Sequence, residues 1–206
     1  MFNYNNLYTC GNQFLIECYY SPYKEFKPFL ERDPATDYSH ESSAFGAKQY
    51  PMWNNVEVSR QIKHRDYSTE DILTTPEWDT AFNKLTAWTI NKLKQNQQVV
   101  EVVPAISWMM EYFDGGWQSA HTHGKNCITQ VVHLDGRYQL TADESKKDRV
   151  HGSMFAFMTE GEIPFYKTFS PIAGKCLIMK GDVFHGVYPT KELPRRCIVI
   201  DYLVLK

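Results

Sequence analysis

The sequence lacks the marks of an exported or membrane-spanning chain. Its five cysteines are scattered and odd in number, and no two are spaced as Cys-x-x-Cys, which argues against a disulfide framework or a structural zinc site. No apolar run approaches the roughly 18 residues that cross a membrane, and the first residues lack the basic flank and apolar core of a signal peptide. We therefore expect a soluble, cytoplasmic protein without membrane contacts.

The sequence also lacks a charge imbalance, internal repeats and low-complexity segments. Its 22 basic and 24 acidic residues give a net charge of −2, which provides no broad basic surface for nucleic acid. Apolar residues are plentiful: hydrophobic types make up 43% of the 206 positions and aromatic types 15%. This composition is typical of one domain with a sizeable core, which we expect to span residues 1–206.

Residues 71–97 have the pattern of supporting helices. Thr75 is a suitable N-cap, and Pro76 fits a first helical turn, where its missing N–H costs nothing. The apolar positions that follow recur at helical spacing: Trp78, Phe82, Leu85, Thr89 and Leu93. We expect this helix to end near Gln95 and a shorter one to begin at Ser68. Residues 1–70 are expected to form an irregular extension, with a strand over 13–20.

After residue 98 the pattern changes to that of β structure. Six short runs rich in valine, isoleucine and aromatic residues are separated by turn residues such as Asp-Gly-Gly and Lys-Gly-Asp. These runs cover 98–103, 106–113, 127–134, 153–158, 175–180 and 196–205. So many runs in so short a segment predict an antiparallel sandwich or barrel, with the preceding helix supporting one sheet.

Residues 114–127, DGGWQSAHTHGKNC, place two histidines one residue apart. In an extended chain residues i and i+2 point the same way, so His121 and His123 would converge on one ion. Such a pair also arises by chance in a polar loop, and a metal site needs a third ligand. His185 is the third candidate, because it follows the run 175–180 and a turn, where ligands commonly lie.

The other four histidines receive no site assignment. His133 lies within a strand-like run and is expected to be a hydrogen-bonded structural residue. His151 is expected in a solvated loop, and His40 and His64 lie in polar segments without a visible partner.

Arg196 opens the last apolar run, eleven residues after His185. A guanidinium at the start of a buried strand needs a partner, and a dicarboxylate cosubstrate would supply one through a bidentate contact. The alternative is that Arg195 and Arg196 form a solvated turn before the strand. We expect this of one of the two residues.

The order of these residues resembles that of the iron(II)- and 2-oxoglutarate-dependent oxygenases. The similarity covers about residues 99–206 and is strongest to bacterial and viral members with His-x-His where most relatives have His-x-Asp. The residues that carry it are Trp108, Tyr112, Gly115, His121, His123, Gly174, His185 and Arg196.

The resemblance implies a mainly β protein with supporting helices. Its core over 98–206 would be a double-stranded β-helix, of jelly-roll or cupin-like type, with the long helix packed on one sheet. His121 and His185 would bind Fe(II), and His123 would stand at the carboxylate position. Arg196, assisted by the hydroxyl of Tyr112, would pair with the distal carboxylate of the cosubstrate 2-oxoglutarate. The implied activity is a dioxygenase that uses O2 to hydroxylate or otherwise oxidise a substrate.

Two alternatives share the histidines. One is a cupin-like protein that binds a ligand without turnover, and the other is a three-histidine cupin dioxygenase that needs no keto acid. Gly115 lies six residues before His121, as in the first cupin motif, but that motif's glutamate is missing from the following GKNCIT. Trp108, Trp117 and Tyr188 either flank the opening, where a small molecule, a protein side chain or a nucleobase would bind, or belong to the core.

Overall fold

A computed structural model describes residues 4–31, 44–62, 75–98, 101–135, 151–191 and 194–205. Within these residues the chain forms ten strands: β1 Asn5–Cys10, β2 Gln13–Tyr19, β3 Ala44–Asn54, β4 Glu101–His121, β5 Cys127–His133, β6 Met154–Met158, β7 Phe165–Phe169, β8 Lys175–Lys180, β9 Phe184–Val187 and β10 Arg195–Leu205. The helices are α1 Val56–Ser59 and α2 Pro76–Gln95, with 3₁₀ turns at Ser21–Glu31 and Arg60–Ile62. No helix in the described ranges has the length and apolar character needed to cross a membrane.

The strands pair antiparallel in one sheet, in the order β1-β2-β8-β5-β10-β4-β9-β6-β7, with β3 added to β4. Strand β4 belongs to both halves of this sheet, because its first part pairs with β10 and its end pairs with β9 at Gln118 and His121. The sheet therefore folds over on itself. The expected mainly β, jelly-roll type of fold is confirmed.

Two apolar cores lie on opposite faces of the sheet. The inner core fills the space enclosed by the fold, where Met154 and Met158 of β6 pack with Leu15 of β2 and Leu177 of β8. The outer core lies between the sheet and α2, where Leu85 packs among side chains of β2, β5, β8 and β10. Strands β2 and β5 are buried along nearly their whole length because both of their faces are covered.

Helix α2 matches the sequence expectation. The Thr75 side chain accepts a hydrogen bond from the N–H of Trp78, and Pro76 occupies the first turn. Its buried residues include the predicted apolar face, and the helix ends at Gln95. The helix expected from Ser68 lies outside the described residues.

Several strand predictions need correction. Segments 98–103 and 106–113 were expected as separate runs, but Glu101–His121 forms the single strand β4, which continues through the predicted Asp-Gly-Gly turn. The first 70 residues are not simply an irregular extension, because β1, β2 and β3 are members of the main sheet. Strands β7 and β9 were not predicted. Both are short, with only five and four residues.

A buried ion pair joins β2 to β8 on the inner face of the sheet. Lys175 Nζ lies 3.1 Å from Glu17 Oε1, and both side chains are less than one-tenth exposed. Lys167 and the hydroxyl of Tyr8 also contact the Glu17 carboxylate. Burial raises the pKa of this carboxyl, but the two lysines and Tyr8 outweigh burial and hold its pKa below the ordinary value of 4.5.

Candidate active site

The three histidines singled out from the sequence meet at one point. A nitrogen of each of His121, His123 and His185 lies within 4.8 Å of a nitrogen of the other two. The ring centroids are 5.1 Å apart for His121 and His123, 4.4 Å for His121 and His185, and 4.9 Å for His123 and His185. This spacing suits three ligands of one metal ion.

The ends of β4 and β9 set this arrangement. His121 is the last residue of β4 and lies directly opposite His185 of β9 in the sheet register. His123 follows β4, and its backbone N–H donates to the carbonyl of Gly181, 2.7 Å away, in the turn before β9. Gly181 must be glycine there, because a Cβ atom would overlap the backbone of Gly124.

In each histidine the Nδ1 atom lies against a protein acceptor. His121 Nδ1 is 3.0 Å from the carbonyl oxygen of Ser119, and His185 Nδ1 is 3.0 Å from that of Val183. His123 Nδ1 lies 2.7 Å from a carboxylate oxygen of Asp201. A proton on Nδ1 satisfies all three contacts and leaves Nε2 as the metal-binding nitrogen of each ring.

The site favours neutral imidazole, the form that binds metals. Burial, with the neighbouring His123 as the second cause, lowers the pKa of His121 to about 4. Burial and the two other histidines lower the pKa of His185 well below its ordinary value. The electron pairs that a metal ion needs are therefore present on these two rings at neutral pH.

The histidines line a small pocket that is partly open to solvent. The wall combines apolar and polar side chains, and it consists of Trp108, Met110, Tyr112, Gln118, His121, His123, Val131, Met154, His185, Val187, Arg195, Cys197 and Val199.

Arg195, and not Arg196, lines this pocket. Arg195 is 4% exposed, its guanidinium carbon lies 4.9 Å from the ring centre of Tyr112, and its Nε and Nη2 atoms have no hydrogen-bond partner among the described residues. Arg196 projects from the other face of β10 and pairs with Glu111 at 2.8 Å and with Asp135 at 3.4 Å. The expectation for Arg196 is corrected, because successive side chains of a strand point to opposite faces.

Tyr112 lies in the pocket as expected, but its hydroxyl proton has a protein acceptor. The hydroxyl donates to Oε1 of Gln118, at 2.5 Å. Burial raises the pKa of the Tyr112 phenol above its ordinary value, so the group remains protonated. Tyr112 therefore contacts Arg195 through its ring and cannot give the same proton to a ligand.

His133 departs from the hydrogen-bonded residue that was expected. It is fully buried, and neither ring nitrogen has a hydrogen-bond partner among the described residues. Burial, followed by the charges of Arg195 and Lys175, lowers its pKa well below the ordinary value. His133 therefore lies as a neutral ring in the electropositive surroundings of Arg195.

The three aromatic residues expected at the opening lie in different surroundings. Trp108 is a buried wall of the pocket and stacks on His123, with ring centres 5.7 Å apart and an interplanar angle of 11°. Trp117 is 40% exposed on β4. Tyr188 contacts Phe155 and the hydroxyl of Tyr166.

His151 is half-buried, whereas His40 and His64 lie outside the described residues.

Sequence reasoning missed Asp201, which is completely buried beside His123. A signal was available, because Asp201 is the one acidic residue within the apolar run CIVIDYLVL. A carboxylate inside a buried strand is rare unless it is paired or lies near a metal.

Solved structures with the same architecture were found. A prolyl-4-hydroxylase from Pseudomonas putida has a TM-score of 0.57 and 11% identity, and the match covers 93% of this chain and 92% of that one. HygX from Streptomyces hygroscopicus, with nickel and 2-oxoglutarate bound, has a TM-score of 0.55, 11% identity and coverage of 92% and 82%. A 2OG-Fe(II) oxygenase family protein from Burkholderia pseudomallei has a TM-score of 0.51, 13% identity and coverage of 83% and 70%.

This chain has the fold of the 2OG-Fe(II) oxygenases. At such low identity the likeness concerns the fold alone, and no family model and no curated protein matches the sequence. Within this oxygenase fold, the three-histidine cluster fits the His-x-His motif read from the sequence.

Proposed function

We propose that this chain is a non-heme, Fe(II)- and 2-oxoglutarate-dependent dioxygenase. The observation that carries the proposal is the position of Arg195, a buried guanidinium with two unpartnered nitrogens, in the same pocket as three converging histidines. A metal ion would bind to the three histidines, and an anionic cosubstrate would pair with Arg195.

The three histidines fit a divalent transition metal. Their nitrogens converge on one point, and His121 and His185 have the depressed pKa values of neutral donors. Fe(II) bound there, with 2-oxoglutarate and O2, would supply oxidation of a substrate C–H bond coupled to decarboxylation of the keto acid to succinate.

Arg195 would bind the distal carboxylate of 2-oxoglutarate. Its guanidinium is buried, and an uncompensated buried charge is costly, so a bidentate carboxylate relieves that cost. The ring of Tyr112 lies against the guanidinium and holds its orientation. The apolar walls formed by Met110, Val187 and Val199 limit the access of water.

The test is a titration of the anaerobic protein with Fe(II) and 2-oxoglutarate. We expect a weak visible charge-transfer band that requires both components, and succinate release in air. Arg195→Ala should weaken 2-oxoglutarate binding by roughly 10-fold to 1,000-fold, because a charge-assisted bidentate contact is lost.

The neighbouring Arg196→Ala is a matched control. It removes the same side chain from the opposite face of β10 and should leave 2-oxoglutarate affinity unchanged. Loss of affinity in Arg196→Ala but not in Arg195→Ala would contradict the proposal and restore the expectation from the sequence.

A three-histidine dioxygenase without keto acid is the second candidate, favoured by a donor cluster that contains histidine alone. It predicts metal binding without any effect of 2-oxoglutarate on the visible spectrum. The same titration therefore separates the two functions.

A further inference from the structure

We infer that Asp201 is the positioning residue of the metal site: it fixes the tautomer of His123 and supplies the negative charge that an all-histidine ligand set lacks. The inference deepens the proposed function, since it rests on a metal bound by His121, His123 and His185. It concerns Asp201, a residue outside the ligand set itself.

Both carboxylate oxygens of Asp201 lie within hydrogen-bond distance of His123. His123 Nδ1 lies 2.7 Å from Oδ2 and 2.9 Å from Oδ1 of the carboxylate. A carboxylate only accepts, so the proton must be on Nδ1, which assigns the electron pair of the ring to Nε2. The tautomer needed for metal binding by Nε2 is thereby enforced.

The three histidines provide an internal comparison. His121 and His185 each place Nδ1 3.0 Å from a neutral backbone carbonyl, whereas the acceptor for His123 is a carboxylate at 2.7 Å. Charge-assisted hydrogen bonds are shorter and stronger than neutral ones. His123 is therefore the most electron-rich donor of the set.

The carboxylate is fully buried and has a second hydrogen-bond donor. Asp201 is 0% exposed, and the hydroxyl of Thr129 donates to Oδ1 at 2.8 Å. Trp108 stacks on the ring of His123 and restricts its rotation. A buried anion is costly in an apolar surrounding, and a divalent cation one imidazole away would offset that cost. Metal binding and the burial of Asp201 are thus mutually favourable.

The experiment measures Co(II) binding to the whole chain, with Co(II) as an air-stable probe, by calorimetry and by its visible d–d absorption. Asp201→Asn keeps the shape and an acceptor oxygen but removes the charge. We expect Co(II) affinity to fall by roughly 10-fold to 100-fold, with a changed d–d spectrum. Asp135→Asn is the matched control, because Asp135 pairs with Arg196 outside the pocket, and it should bind Co(II) like the parent chain.

A second background separates charge supply from structural support. In His123→Asp a carboxylate is placed directly at the metal, so adding Asp201→Asn should no longer weaken Co(II) binding. An equal loss in both backgrounds, with a lowered melting temperature of the metal-free protein, would reduce Asp201 to a structural residue and overturn the inference. Unchanged affinity in Asp201→Asn alone would overturn it as well.

If Asp201→Asn does not fold, Thr129→Val carries the test. It removes the hydrogen bond to Oδ1 while keeping the carboxylate, and it should weaken Co(II) binding by a smaller factor; no change would overturn the inference. Failure of the proposed function looks different. Co(II) binding that depends on Asp201 without any 2-oxoglutarate binding supports the role of Asp201 and rejects the dioxygenase, whereas a parent chain that binds no Co(II) rejects both.

Discussion

The two faces of β5 and β10 bury polar groups in different ways. On the outer face, under α2, Gln130 Oε1 accepts hydrogen bonds from Thr89 at 2.9 Å and from Tyr202 at 2.7 Å. On the inner face, Arg195 and His133 have nitrogens without a partner among the described residues. Each strand thus carries a hydrogen-bonded polar group on its outer side and, on its inner side, a buried group with nitrogens that lack a partner among the described residues.

This difference separates stability from function. A buried polar group with partners contributes modestly to folding, whereas one without partners costs free energy until a ligand arrives. The outer network therefore belongs to the packing of helix on sheet. On the inner face, Arg195 retains a cost that an anion in the pocket would remove, as expected at a binding site.

The largest expected effect tests the inner face. His121→Ala removes a proposed metal ligand. It should weaken Co(II) binding by more than roughly 100-fold, which is the upper limit for residues that only hydrogen-bond to a metal ligand. It should change the unfolding free energy of the metal-free protein by only about 1 kcal/mol or less. Thermal unfolding with and without Co(II) measures both the stability and the metal affinity. A ligand at a concentration of about 100 times its Kd adds about 2.7 kcal/mol to the free energy of unfolding.

His151→Ala provides the control for His121→Ala, since His151 lies outside the pocket lining. It should retain the full Co(II)-dependent shift. If Co(II) stabilised His121→Ala as much as the parent chain, the metal would bind elsewhere. The inner face would then not differ from the outer face in metal binding.

The intermediate effect tests the outer face. Gln130→Leu leaves the buried hydroxyl of Tyr202 without this acceptor and should cost about 2 kcal/mol, or about 4 to 8 °C in the melting temperature. Co(II) and 2-oxoglutarate affinities should not change. Tyr202→Phe should cost less, because Gln130 keeps its contact with Thr89. A variant of Gln130 with lost metal affinity would break the comparison.

The smallest expected effect concerns the ion pair of Glu17 with Lys175 on the inner face, in which both charged groups have a partner. The pKa of Glu17 is lowered in the folded protein, so its carboxylate contributes stability above pH 4.5, and that contribution is lost as the pH falls through the folded value. Urea unfolding between about pH 6 and about pH 3 should show a shallower loss of stability in Glu17→Gln than in the parent chain. Identical slopes would mean that the pair with Lys175 does not couple to folding.

The sequence predicted those features that depend on local chemistry. The cap at Thr75, the proline at Pro76 and the apolar face of α2 are local signals, and the helix begins and ends as expected. The β-rich runs and turns of the second half predicted an antiparallel sandwich or barrel, and the resemblance to the oxygenases implied the jelly-roll type. The convergence of His121, His123 and His185 was also expected, from the spacing of the first two and the position of the third after a strand.

The features that depend on register could not be predicted with the same success. Arg195 and Arg196 are adjacent, so a choice between them requires knowing which face of β10 points inward. That face is set by pairing with β4 and β5, which are far away in sequence. The same alternation places Asp201 inward with Arg195. The acidic residue in an apolar run was a usable signal for the inner face, and it favours Arg195 by parity.

The tie between His123 and Gly181 has a consequence for how the protein matures. The three histidines come from chain segments that are brought together only after β4 has paired with β9, so the cluster is assembled from contacts of long sequence separation. Such contacts form late, because the closure of long loops must precede them. A metal ion bound as proposed would therefore find its complete site only after β4 has paired with β9.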